Sequence, residues 1–169
     1  MTTGKQKSFL SNTPIFYGLL NIVMMLNSKE MQTLDEFCEN GKLNDYRSLL
    51  TQIFERIIMG KCKIAAQYNC NKSLHSFDLN SCIIRISLSK TYNNPIEIIW
   101  TLFHEFGHHK SGKIDKKLLD PVTTLRREQE AWDLARQEIL IYPELLATLS
   151  EFEKYKQKCL EGYEKAASI

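Results

Sequence analysis

The stretch from Ile96 to Lys110 constrains this chain most, because it has helical spacing and almost no polar side. Asn94 is placed to cap it, Pro95 suits the first helical position, and Glu97 can reach back as the third-position carboxylate. Ile98, Ile99, Trp100, Leu102, Phe103 and Phe106 follow on most sides, and a helix of that kind must lie in the middle of a domain. Into it the sequence puts His104-Glu105-Phe106-Gly107-His108-His109, with three of the chain's four histidines. Two imidazoles and a carboxylate are costly to bury unless they share a partner.

The motif is H-E-x-x-H. Residues four apart on a helix sit one above the other, about 5–6 Å apart at Cβ, so His104 and His108 can direct ring nitrogens at one ion. Zinc suits such a pair and keeps a position for water, whose proton Glu105 can take as the water attacks a carbonyl. Two histidines leave a catalytic zinc one protein ligand short, and Glu128, Glu130, Asp133 and Glu138 follow in the sequence. Asp120-Pro121 opens a further helix expected to reach about Tyr142, on which Leu125, Glu128, Trp132, Ala135 and Ile139 form one three-four stripe beside Ala131. Glu128 is the only charge in that stripe. Arg126, Arg127, Glu130, Asp133 and Gln137 fall on the opposite, solvated side, where Arg126 and Glu130 form an i,i+4 pair. A carboxylate in the core-facing stripe must be paired, and a metal held by His104 and His108 is the partner available, which makes Glu128 the expected third ligand.

The rest of the chain frames this pair of helices. Tyr46, Leu49, Leu50, Ile53 and Ile57 predict an amphipathic helix from Asn44 to Ile57, with Gly60 as its stop. The period then changes, and Cys62 to Tyr68, Leu74 to Phe77 and Cys82 to Leu88 read as short strands. In the third, Ile84, Ile86 and Leu88 face a core while Ile83, Arg85, Ser87 and Ser89 face away, so its outer side is expected to be wet. Leu149, Phe152, Tyr155, Cys159 and Tyr163 predict a last amphipathic helix. The expected fold class is α+β, a helix-rich single domain over residues 1–169 with a small three-stranded sheet and a zincin-like active-site helix. Within it, 1–43 is a helical extension, 44–142 the catalytic core and 143–169 a C-terminal helix.

Few features favour other classes of function. Lys plus Arg number 22 against 20 Asp plus Glu, and a balance of +2 offers no basic stripe for nucleic acid. Pro14 to Leu26 is too short and too diluted by Gly18 and Asn21 for a membrane span or signal peptide, and reads as a buried helix of a cytoplasmic protein. The five cysteines, Cys38, Cys62, Cys70, Cys82 and Cys159, contain no C-x-x-C pair and read as mostly buried free thiols. His109 lies about 100° around the helix from His108 and is expected at the surface or behind the ligands, and His75 is given no metal role. Lys110, Lys113, Lys116 and Lys117 line the connection between the two motif helices as a solvated run, or one that steers an acidic substrate.

His104 to His109, followed some twenty residues later by Glu128-Gln129-Glu130-Ala131-Trp132-Asp133-Leu134-Ala135, resembles the ImmA/IrrE family of small zinc metallopeptidases over roughly Asp45 to Tyr142. In that family H-E-x-x-H is followed by a helix of the form E-x-x-A-N-x-F-A. The resemblance places Glu128 at the third ligand, Ala131 and Ala135 at small packing positions and Leu134 at the usual Phe, while Trp132 stands where Asn is common. It implies a gluzincin-like fold and, in one branch, cleavage of a repressor that controls phage, mobile-element or stress genes.

The leading expectation is therefore a zinc-dependent endopeptidase. Zn2+ is held by His104, His108 and Glu128, Glu105 is the catalytic residue, and the substrate is a protein or peptide such as a helix-turn-helix repressor encoded nearby. An extended peptide is expected to pair with the strand around Arg85 and Ser87. A peptide deformylase also uses H-E-x-x-H, but its E-G-C-L-S and G-x-G-L-A-A-x-Q strings do not occur here. The alternative from another class is a non-catalytic, metal-stabilised regulator or toxin-antitoxin-like binding module. Glu105 argues against it, because a purely structural site needs no proton acceptor beside the water.

Overall fold

Asn94 and Glu97 start the central helix much as their spacing suggests. The Asn94 side chain accepts the Ile96 N–H at 3.1 Å, and the Glu97 carboxylate accepts the Asn93 N–H at 3.2 Å. The helix itself begins one residue later than expected, so that α3 spans Ile96–Lys110 with Pro95 at the cap. Every residue from Ile96 to Gly107 is buried. The computed structural model describes residues 26–78, 81–90, 92–113 and 120–169. The expected helix from Pro14 lies outside them except for Leu26, as do Lys116 and Lys117.

Three helical segments and a sheet form one side of the molecule. α1 (Ser28–Asn40) is opened by a capping box between Asn27 and Glu30, and it buries Leu34, Phe37 and Cys38 in the same core cluster as the apolar residues of α3. Asn44–Tyr46 forms a 3-10 turn, followed by α2 (Arg47–Met59), which ends at Gly60. The strands are β1 (Cys62–Gln67), β2 (Leu74–Asp78) and β3 (Ser81–Ser87), close to their expected bounds. Their order is β1-β3-β2, with β1 parallel and β2 antiparallel to β3.

That order corrects two expectations. β3 is the central strand, with both of its edges paired, so it cannot receive a peptide by strand addition. Ser87 has no exposed surface: its Oγ donates to the Cys70 carbonyl and its N–H donates to Ser73 Oγ at 3.1 Å. Arg85 donates to Ser76 Oγ on β2 at 2.7 Å. The sheet edge on that side is β2. Parallel pairing also sets Cys62 directly opposite Cys82, and the two are joined as a disulfide, while Cys38, Cys70 and Cys159 are free. A sequence separation of 20 hid this pairing from the sequence.

Beyond α3 the chain is helical. Asp120 caps α4 by accepting the Thr123 N–H at 2.7 Å, and α4 runs Pro121–Ile139, ending short of the expected Tyr142. A short helix α5 (Pro143–Leu146) turns the chain into α6 (Leu149–Ala167). The result is a helix-rich α+β architecture with a small mixed sheet. Among the described residues no helix is long and apolar enough to cross a membrane.

Candidate metal centre

α3 packs more extensively against α4 than against any other element, and a glycine sets how closely. A β-carbon on Gly107 would lie 2.3 Å from the Ala131 carbonyl oxygen and 3.0 Å from the Ala131 Cα. Only hydrogen fits there, so the two backbones touch between the histidine pair and Glu128. The contact brings Glu128 across to α3. His104 Nε2 lies 3.2 Å from one Glu128 oxygen and His108 Nε2 lies 3.4 Å from the other.

These separations fit one small cation. Ligand atoms at roughly 2.0–2.1 Å from a tetrahedral zinc lie about 3.3–3.4 Å from one another. Both imidazole nitrogens and the carboxylate thus already stand at the spacing of a shared metal, and all three offered atoms lie within 4.8 Å of one another. The other acidic candidates are elsewhere. Glu130 is exposed, Asp133 pairs with Lys156 at 2.5 Å, and Glu138 is held by Arg56 and Lys110.

Electrostatics separates the two carboxylates. Burial pushes the Glu105 carboxyl up to about 7, with His108 and a backbone N–H from His75 pulling down and the Glu128 charge pushing up. Burial would raise Glu128 too, but hydrogen bonds from His104 and His108 outweigh it and hold that group at about 2. One carboxylate is fixed as an anion between two imidazoles. The other is poised near neutrality beside them.

Trp132 braces the first imidazole. Its ring stacks on His104 with centroids 4.1 Å apart and planes 23° from parallel. Phe152 and Tyr155 of α6 pack against it from behind, and Tyr155 shares a 3.1 Å hydrogen bond with Thr101 on α3. A cavity of about 310 Å³ opens over His104, Glu105, His108 and Glu128, walled by Ser73 to His75, Arg127 and Tyr163. A second, of about 270 Å³, shares Glu105, Glu128 and Tyr163 and extends to Lys90 and Cys159.

Several wall residues escaped sequence reasoning. Arg127 was expected on the solvated side, but it lines the cavity and donates to the Gly112 carbonyl at 3.0 Å. Lys110 is exposed and also forms an ion pair with Glu138 at 2.6 Å, a partner its place in the lysine run does not signal. Leu74 comes from an edge strand and Tyr163 from the apolar stripe of the last helix, and no local pattern places either at the cavity. His109 is half-buried, bonded through Nε2 to the Gly60 carbonyl at 2.8 Å, and is not part of the His104, His108 and Glu128 cluster. His75 faces it, with ring centroids 5.7 Å apart, and burial, aided by His109 and His108, holds His75 down at about 4.

No family model, curated protein or solved structure matches the chain.

Proposed function

We propose that the chain is a zinc-dependent endopeptidase of the ImmA/IrrE type. The observation that carries the reading is the convergence of His104 Nε2, His108 Nε2 and both Glu128 oxygens from two helices, beside a buried Glu105 poised near pH 7. Bound by those three residues, zinc supplies a Lewis acid for a water and for the scissile carbonyl.

The chain's own groups do the rest. Glu105 accepts a proton at its carboxylate and returns it to the leaving amine, a task suited to a group whose pKa lies close to the working pH. Glu128 stays ionised and fixes both imidazoles. Tyr163 lines the same cavity, and its hydroxyl, raised further by burial and by the Glu128 and Glu105 charges, is a donor for negative charge developing on the substrate oxygen. An extended peptide adds to the edge of β2, whose Leu74 and His75, with Ser73 just before the strand, form the cavity wall. The substrate class is a protein or peptide, and following the resemblance, a helix-turn-helix repressor encoded nearby is the first to try.

Glu105→Gln tests the reading. The amide keeps the shape of the side chain and cannot take the proton, so zinc content and melting temperature should hold while cleavage of a proteome-derived peptide library, scored by mass spectrometry, falls about a thousandfold. Equal cleavage by the variant and the parent chain would remove the general-base role, and no zinc-dependent cleavage in the parent chain would leave the regulator reading in its place.

A further inference from the structure

A second group of metal-ligating side chains stands apart from the first. Cys62, His75, Cys82 and His109 offer four ligand atoms that lie within 4.8 Å of one another, with both cysteines buried and both histidines half-buried. We propose that, once the Cys62–Cys82 disulfide is reduced, these four residues bind a thiophilic divalent cation such as zinc in a closed structural site, and that disulfide and metal are alternative states of one cluster.

The topology explains why four residues so scattered in sequence meet. Cys62 and Cys82 are directly opposed on β1 and β3. His75 on β2 is opposed to Ile84, two residues along β3 from Cys82, and side chains alternate along a strand, so His75 projects from the same face as both cysteines. The last turn of α3 brings His109 onto that face. The donor set is two sulfurs and two imidazoles, which selects zinc over hard cations and fills all four tetrahedral positions with protein, as structural sites require.

The tautomer of His109 also fits. The Gly60 carbonyl can only accept, so the 2.8 Å contact puts the ring hydrogen on Nε2 and leaves the lone pair on Nδ1. Outer hydrogen bonds of this kind orient metal-binding histidines. A β-carbon on Gly60 would lie 3.0 Å from the Phe106 ring, which stacks on His109. The cluster would pin the sheet to the end of α3, one residue beyond His108, and would also hold β2, whose His75 N–H bonds to Glu105.

The change of state balances. Two molecules of an external thiol supply two electrons and leave as their own disulfide, the S–S bond of Cys62–Cys82 breaks, and each released thiol gives its proton to solvent as the cation binds.

Cobalt(II) provides the test, since only a sulfur-ligated site gives sulfur-to-cobalt charge-transfer absorption in the near ultraviolet. Reduced full-length protein, with its thiols counted, should take up about two equivalents and show the band, and the disulfide form should take up about one and lack it. Cys62→Ser/Cys82→Ser should lose the band and one equivalent, and His75→Ala should lose one equivalent. His104→Ala should keep the band, which separates this cluster from the proposed catalytic centre. Reduced protein without the band, a band that survives in the double serine variant, or full loading of the His75 variant would each overturn the site. The comparison of reduced with oxidised parent chain decides the matter even where a variant fails to fold.

Discussion

Gly107 shows how one missing methyl group can determine a site. Alanine there would drive its β-carbon into the Ala131 backbone, which cannot rotate away as a side chain would, so α3 and α4 must separate. Overpacking of this kind costs about 1–3 kcal/mol. The larger consequence is chemical, because the same separation pulls Glu128 from His104 and His108, now 3.2 and 3.4 Å away. Gly107→Ala is therefore expected to lower the melting temperature and weaken zinc affinity about tenfold or more, as read by competition with a chelator. Gly162 on α6 is the control, since nothing lies within 4 Å of its added β-carbon. Gly162→Ala should leave zinc binding unchanged and stabilise the helix by about 0.5–1 kcal/mol. If both substitutions weaken zinc equally, the close contact with Ala131 is not what positions Glu128.

At the scale of elements, the order of the strands decides where a substrate of the proposed peptidase can lie. β2 is the sheet edge beside the cavity, and Leu74 on it is 38% exposed, while Arg85 on the central β3 is engaged with Ser76. Leu74→Ala is expected to raise KM about fivefold, the loss of part of one apolar side chain, with kcat and zinc content unchanged. Arg85→Ala should change KM far less. With the Glu105→Gln variant holding a cleavable peptide, hydrogen exchange should slow at Ser73 and stay constant at His75 and on β3, whose amides already have partners. Protection confined to β3 would exclude strand addition at β2.

For the whole molecule, Glu138 ties three helices together at one buried point. The carboxylate is 1% exposed and bonds to Arg56 on α2 and Lys110 at the end of α3. Burial alone would raise its pKa, but hydrogen bonds from Arg56 and Lys110 outweigh that and hold it below the usual carboxylate range. A depressed folded-state pKa contributes stability above the unfolded value near 4.3, and that contribution is lost as pH falls through the folded value. Both cations are partly exposed, which screens the pair, so Glu138→Gln should cost about 2 kcal/mol at pH 7. The gap in melting temperature between variant and parent should close below about pH 4. A gap that persists unchanged to pH 3 would show that packing, not charge, gives Glu138 its effect.

What the sequence determined alone follows from local periodicity. The buried helix with its H-E-x-x-H, the cap at Asp120, and Glu128 as the one charge in an apolar stripe are set by residues within a few turns of each other, where side-chain direction follows from spacing. Bounds shifted by one to three residues because caps are local competitions, as at Pro95. The tertiary structure decided everything that depends on distant segments meeting. The spacing of Cys62 from Cys82 says nothing of a parallel pairing that requires β3 to lie between β1 and β2, and for the same reason an alternating pattern put Ser87 on a wet face although it is buried against Cys70 and Ser73. His75 and His109 belong to one cluster, and Arg127 and Tyr163 to one wall, only because helices and strands far apart in the chain close on the same volume. Side-chain period reports which face of an element is buried, and it carries no information about which neighbour buries it.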